Sequence, residues 1–259
     1  MSRKLQELFK RLKREQRCGL IAYITCGDPD IETTIRIVHA LEAAGADAIE
    51  LGIPFSDPIA DGPVIQAAAQ RALQGGTTIN DIFTIAERVR GTSKIPLIAF
   101  SYFNPIHRYG VERFAADAEK AGIDSLLLTD LPAERAVEAK RAVFLLAPTS
   151  TDARIAAVNR ASADFIYYVS TMGVTGARKD LDPALIARLD EVRAKVTKPL
   201  AVGFGISEHR HYELLRDHCD AIVVGSAIVR AIADGDAAAA PERAAAVVRN
   251  ILGGSPSDH

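Results

Sequence analysis

The chain has 259 residues, 48% of them apolar, with 31 Lys and Arg against 33 Asp and Glu. A formal charge of -2 leaves no basic excess with which to neutralise a phosphate backbone, and no stretch is locally basic enough to do so, which argues against nucleic acid as a partner. The three cysteines, Cys18, Cys26 and Cys219, form no C-x-x-C pair, which disfavours a disulfide framework or a thiolate metal site and fits a reducing cytoplasm.

From Met1 to Gln16 the chain is charged at nearly every second position, unlike the apolar core of a signal peptide, and no apolar run is long enough to span a bilayer. A soluble, unexported protein is expected. Leu5–Arg14 reads as a leading helix able to lie across one end of the fold. After it, short apolar or β-branched runs alternate with helical stretches. The runs at Leu20–Thr25, Ala48–Leu51, Leu97–Phe100, Ser125–Thr129, Val143–Ala147, Phe165–Val169, Leu200–Val202 and Ala221–Val224 read as strands. About eight parallel strands with helical crossovers is the number that closes a (β/α)8, or TIM, barrel. The helices Ile31–Ala44 and Val111–Ala121 each stop at a glycine, Gly45 and Gly122, where a left-handed residue ends a helix without steric cost. No Pro/Ser-rich seam or charge block divides the chain, so one barrel domain over 1–252 is expected, with a disordered tail over 253–259. An open doubly wound sheet is the alternative, but Thr25-Cys26-Gly27-Asp28-Pro29 after the first strand lacks the G-x-G-x-x-G spacing of a dinucleotide site. His209 and His211, two apart on a predicted helix, do not face one another, and no metal site is expected.

In a barrel the chemistry sits at the carboxyl ends of the strands. Glu50 lies inside the second strand, pointing either into the barrel mouth or outward against the helices, and either position desolvates its carboxyl. The loop from Ile53 to Pro63 that follows carries Asp57 and Asp61 between prolines that limit its freedom. Two acids in different settings can divide acid-base work, one exchanging protons and one staying anionic. Capping of a helix beginning near Pro63 is the plainer role for Asp57 or Asp61. Glycine-rich turns follow the last three strands, at Gly173–Gly176, Gly203–Ser207 and Gly225–Ile228. Together they point to backbone amides gripping a phosphate.

The run Glu50-Leu51-Gly52-Ile53-Pro54-Phe55-Ser56-Asp57-Pro58-Ile59-Ala60-Asp61-Gly62-Pro63 resembles the signature of the tryptophan synthase α subunit family. The likeness extends from about Leu8 to Ile232 through Tyr102-Phe103-Asn104-Pro105, Asp130-Leu131-Pro132 and Ala147-Pro148-Thr149. The resemblance implies a TIM barrel and a lyase of tryptophan biosynthesis that cleaves indole-3-glycerol phosphate to indole and D-glyceraldehyde 3-phosphate. It makes Glu50 the proton-transfer residue and Asp61 the stabiliser of positive charge on the indole nitrogen. It places Tyr23, Leu127 and Phe204 near the indole and Tyr102 among the substrate-binding residues, has Tyr167 hydrogen-bonding Glu50, and puts Thr175 on a closing loop that meets Asp61. Phosphate would lie on Gly176, Gly205, Gly225 and Ser226. It implies no cofactor in this chain and a pyridoxal-phosphate (PLP) dependent β subunit as partner in an α2β2 heterotetramer, with Pro54 and Asp57 at the interface. One departure stands out. Asp130–Phe144 is several residues shorter than the family's usual crossover and leaves only about Ala133–Ala142 for a helix, so either the outer layer is thin there or the helix is truncated. Two other readings stand beside it: a phosphosugar isomerase or epimerase that shares the late-strand phosphate site, and a noncatalytic binding subunit whose main role is to activate its partner.

Overall fold

The computed structural model describes residues 2–139, 141–170, 183–203 and 205–253. Nine parallel strand segments follow one another around a barrel: β1 (Gly19–Thr25), β2 (Ala48–Gly52), β3 (Leu97–Ser101), β4 (Ser125–Leu128), β5 (Ala142–Val143), β6 (Leu145–Leu146), β7 (Ile166–Val169), β8 (Leu200–Gly203) and β9 (Ala221–Val224). β1 pairs with both β2 and β9, and the ladder runs through neighbouring strands on each side to β5 and β6. The fold is the expected TIM barrel.

Its expected fifth strand, Val143–Ala147, is instead two short segments broken at Phe144. The Phe144 amide is taken by the Ser162 hydroxyl at 3.1 Å, while its carbonyl still accepts from the Tyr167 amide at 3.2 Å. A side chain has replaced one rung of the ladder, and the barrel nevertheless closes as eight strands with this one interrupted. The preceding crossover is truncated. Residues Ala133–Glu138 form a 3-10 turn with non-helical dihedrals at Arg135, and Arg141 takes a left-handed φ of 62° to re-enter the sheet.

Alternation along the strands sorts the core into two layers. Ile21, Ala48, Ile98, Leu127, Val143 and Tyr167 point into the barrel, while Leu20, Ile49, Leu97, Leu126, Ile166 and Ile222 meet the outer helices. The inner layer holds several alanines, and the helix Arg3–Glu15 fills the space they leave at the amino end. Leu5, Leu8, Phe9 and Leu12 are buried there, and the Phe9 ring lies 5.8 Å from that of Phe165. Acids at the amino ends of the strands anchor this segment. Asp47 accepts from Arg11 and Arg17, both at 2.7 Å, and Asp164 accepts from the Ser2 amide at 2.6 Å. Leu12→Ala is expected to cost about 3 kcal/mol, the usual scale for emptying a buried leucine site. Equilibrium urea unfolding measures it, and a loss below about 1 kcal/mol would separate the helix from the barrel core.

Cys18 and Cys219, distant in sequence, are buried at this end with sulfurs 3.7 Å apart because β1 closes on β9. Among the described residues no helix is long and apolar enough to cross a membrane. The expected disordered tail over 253–259 lies outside the described residues beyond Gly253.

Candidate active site

Glu50 sits on β2 between Ala48 and Gly52, in register with Tyr23 of β1 and Ile98 of β3, so it shares the inward face with Ala48. It is completely buried, and neither carboxyl oxygen has a hydrogen-bond partner among the described residues. Burial alone pushes its pKa up to about 8, because an ion there would lose its hydration with nothing in exchange. The bond expected from Tyr167 is not made. Tyr167 is inward-facing, like Glu50, and its hydroxyl lies over Gly203, where an added Cβ would stand 2.0 Å away. The Tyr23 hydroxyl crowds Gly52 in the same way, at 2.3 Å. These two glycines leave room for the tyrosine heads that flank Glu50. The Glu50 charge helps to raise both phenol pKa values, after the larger effect of burial.

Asp61 lies on the loop that leaves β2. That loop is tied to the barrel mouth by the Ile53 amide, which donates to the Phe100 carbonyl at 2.8 Å, and turns on itself where the Asp61 amide donates to the Pro58 carbonyl at 3.0 Å. Tyr102 fastens its end: the hydroxyl donates to Asp61 Oδ2 at 3.0 Å and accepts from the Ala60 amide at 2.9 Å. Burial raises the Asp61 pKa to about 6, against the opposing hydrogen bond from Tyr102. Neither acid caps the next helix, Pro63–Gln74, whose N-cap is Gly62 with Pro63 in the first turn. Asp28, from the loop after β1, accepts two bonds from Arg71 at 2.8 and 2.7 Å and ties that helix to the first strand.

A cavity of about 740 Å³ opens at the carboxyl ends of the strands, with Asp61, Phe100, Thr129, Leu145, Tyr167 and Val169 in its wall. Both Glu50 and Asp61 act electrostatically on Tyr23 and Tyr167, so the two acids border one neighbourhood. Glu50 itself is not in the lining, but its charge acts on Tyr167, which is. Opposite, Gly225 and Ser226 start the helix Ser226–Ala233, whose first-turn amides are unpaired within the helix, and Gly205 turns the chain after β8 with a φ of 77°. The arrangement offers a protonated acid, a second carboxyl able to ionise, an apolar slot and a helix N-terminus whose first amides have no partner within the helix.

A family model for the tryptophan synthase alpha chain matches residues 9–253. This chain belongs to the tryptophan synthase alpha chain family. The tryptophan synthase alpha chain of Solibacter usitatus is 50% identical over 247 residues, covering 92% of each chain. That of Citrifermentans bemidjiense is 49% identical over 238 residues, 89% of each. Among solved structures, tryptophan synthase subunit alpha from Legionella pneumophila superposes with a TM-score of 0.87 at 33% identity, covering 97% of both chains. A chain from the tryptophan synthase a2b2 complex of Pyrococcus furiosus gives 0.85 at 38% identity, covering 91% of this chain and 98% of that one.

Of the positions that the family motif designates, the structure gathers Glu50, Asp61, Tyr23, Tyr102 and Tyr167 around the mouth. Leu127 is fully buried in the inner layer and is absent from the cavity wall. Thr175, Gly176 and Phe204 lie outside the described residues. Asp57 is exposed, with the Ser56 hydroxyl donating to it at 2.5 Å, whereas Pro54 is buried within the chain. Ile59, 85% accessible, is a large apolar residue that the loop presents to solvent. Phe100, Thr129, Leu145 and Val169 carry no motif that marks them in the sequence. Strand parity carries their signal, since each is an inward position near a strand's carboxyl end or just beyond it.

Proposed function

We propose that Glu50 and Asp61 divide the work of cleaving indole-3-glycerol phosphate to indole and D-glyceraldehyde 3-phosphate, with residues 1–252 acting as one barrel domain. This is the lyase activity of tryptophan biosynthesis that goes with the family. The observation that carries the assignment is the buried, unpartnered Glu50 carboxyl, whose pKa of about 8 keeps it protonated at neutral pH.

Rotation about its own side-chain bonds brings that carboxyl past Tyr167 to the substrate. Glu50 then gives its proton to indole C3, and the ring nitrogen becomes an iminium cation that the Asp61 carboxylate stabilises. The bond from C3 to the glycerol carbon breaks, and its electron pair returns to the ring and neutralises the nitrogen. The hydroxyl on that carbon loses its proton to Glu50 as the aldehyde forms, which restores the starting acid. The indole ring is the electron sink, so the step requires no cofactor from this chain. Tyr102 holds Asp61 in place, the apolar walls take the ring, and amides at Gly205, Gly225 and Ser226 take the phosphate.

The exposed segment with Asp57 and Ile59 supplies a face for a PLP-dependent β subunit in an α2β2 assembly. The Pyrococcus furiosus tryptophan synthase, one chain of which this one resembles, is an a2b2 complex. A cytoplasmic location goes with this role. Indole release from indole-3-glycerol phosphate by the purified chain, alone and with a β subunit, tests the reading. Indole should appear in both, faster with the partner. No indole in either would contradict it, as would equal thermal protection by a bare sugar phosphate and the indole-bearing one.

A further inference from the structure

Cys18 and Cys219 stand 201 positions apart in the chain, yet their sulfurs are 3.7 Å apart. Cys18 directly precedes β1 and Cys219 lies two residues before β9, so the pair sits on the seam where the first strand closes on the last. Hydrogen bonds pin both sides of that seam. The Gly19 amide donates to the Asp220 carbonyl at 2.9 Å, the Tyr212 hydroxyl donates to the Cys18 carbonyl at 3.1 Å, and the Cys219 thiol donates to the Leu215 carbonyl at 3.3 Å. Both cysteines are free thiols, 2% and 4% exposed, at the barrel end opposite the active site. The third cysteine, Cys26, is buried just past the other end of β1, about 25 Å away along the strand.

We propose that this pair is an oxidation site, at which an oxidant of the peroxide class joins Cys18 to Cys219 and ties β1 to β9 by a covalent bond. The sulfurs must close from 3.7 Å to about 2.05 Å, a movement that rotation about the two Cα–Cβ bonds can supply. Cys219 is held protonated, first by its hydrogen bond with Cys18 and then by burial, so the first attack falls to Cys18. Its thiolate sulfur takes one peroxide oxygen, the O–O bond breaks, and a sulfenic acid and one water result. The Cys219 sulfur, released from that hydrogen bond, gives up its proton and attacks the sulfenic sulfur. The S–O bond breaks, the S–S bond forms, and the departing hydroxide takes up the proton as a second water. Two thiols are oxidised and one peroxide is reduced to two waters. A bridge between residues so distant in sequence restricts the unfolded chain strongly, which raises the stability of the closed barrel.

The test treats the folded, full-length chain with hydrogen peroxide, then alkylates the remaining thiols in denaturant and maps the peptides by mass. One peptide pair should carry the Cys18–Cys219 bridge, lighter by two hydrogens, while Cys26 is alkylated as a free thiol. The urea midpoint of the bridged chain should rise by about 1 M, and dithiothreitol should return it. Cys18→Ser should show no bridge and no rise. Three alkylated thiols, or sulfinic or sulfonic acid at Cys18 or Cys219 in place of the bridge, would overturn the proposal. So would an equal rise in Cys18→Ser, or a rise that dithiothreitol does not reverse.

Discussion

Replacing Glu50 by Gln is expected to lower kcat about a thousandfold while leaving the affinity for a nonreactive indole phosphate analogue nearly unchanged. The amide keeps the shape of the side chain but can neither give a proton to C3 nor receive one from the glycerol hydroxyl, and removal of a general acid-base group costs about 10²- to 10⁴-fold. Steady-state indole release together with analogue titration separates the two effects. Turnover within about tenfold of wild type would remove Glu50 from the chemistry.

The same variant should be more stable at alkaline pH. Folding raises the Glu50 pKa from 4.5 to about 8, so across that window the folded chain keeps a proton that the unfolded chain has released. Stability therefore falls as pH rises from about 4.5 to 8, and Gln at this position removes that dependence. A gain of about 1–3 kcal/mol at pH 8, absent near pH 4, follows from the pKa scale once an imperfectly bonded buried amide is allowed for. Urea unfolding at the two pH values measures it.

Asp61→Asn is expected to lower kcat by about 10²- to 10³-fold, the scale on which a fixed electrostatic partner stabilises developing charge. Its pKa of about 6 leaves Asp61 largely ionised at pH 7.5, and a cation forming on the indole nitrogen would favour the anion further. Asn preserves the bond from Tyr102 but lacks the charge. Affinity for the phosphate half should be unchanged, since Gly205, Gly225 and Ser226 are separate from the Asp61 loop. Loss of phosphate affinity with kcat intact, measured by single-turnover kinetics, would assign Asp61 to binding instead.

The barrel was legible because each strand is an apolar run closed by turn residues, and the wall of a parallel barrel is buried on both faces. That same two-sided burial hid the direction of Glu50. In Ala48-Ile49-Glu50-Leu51-Gly52 the apolar residues on both sides give no alternation, and only pairing with Tyr23 and Ile98 fixes the inward face. The break at Phe144 depends on a hydroxyl at Ser162, a partner too far along the chain for local pattern to reveal. Crossover length could be counted in the sequence, but not its form as a 3-10 turn lying against the helix Asp152–Ala161, with Glu134 paired to Arg154 of that helix. The Cys18 and Cys219 contact is likewise a product of barrel closure. At the site, the motif marked the two acids Glu50 and Asp61, but the cavity wall comes from strand ends whose residues carry no motif.

The most direct test is the alkaline limb of kcat/KM for indole release between pH 7 and 10, a range above the titration of the substrate phosphate. If the protonated Glu50 is the acid of the free enzyme, kcat/KM falls tenfold per pH unit above about 8, following the loss of that proton. A profile that stays flat to pH 10 would contradict the assignment, because a carboxylate at Glu50 would then be as competent as the acid.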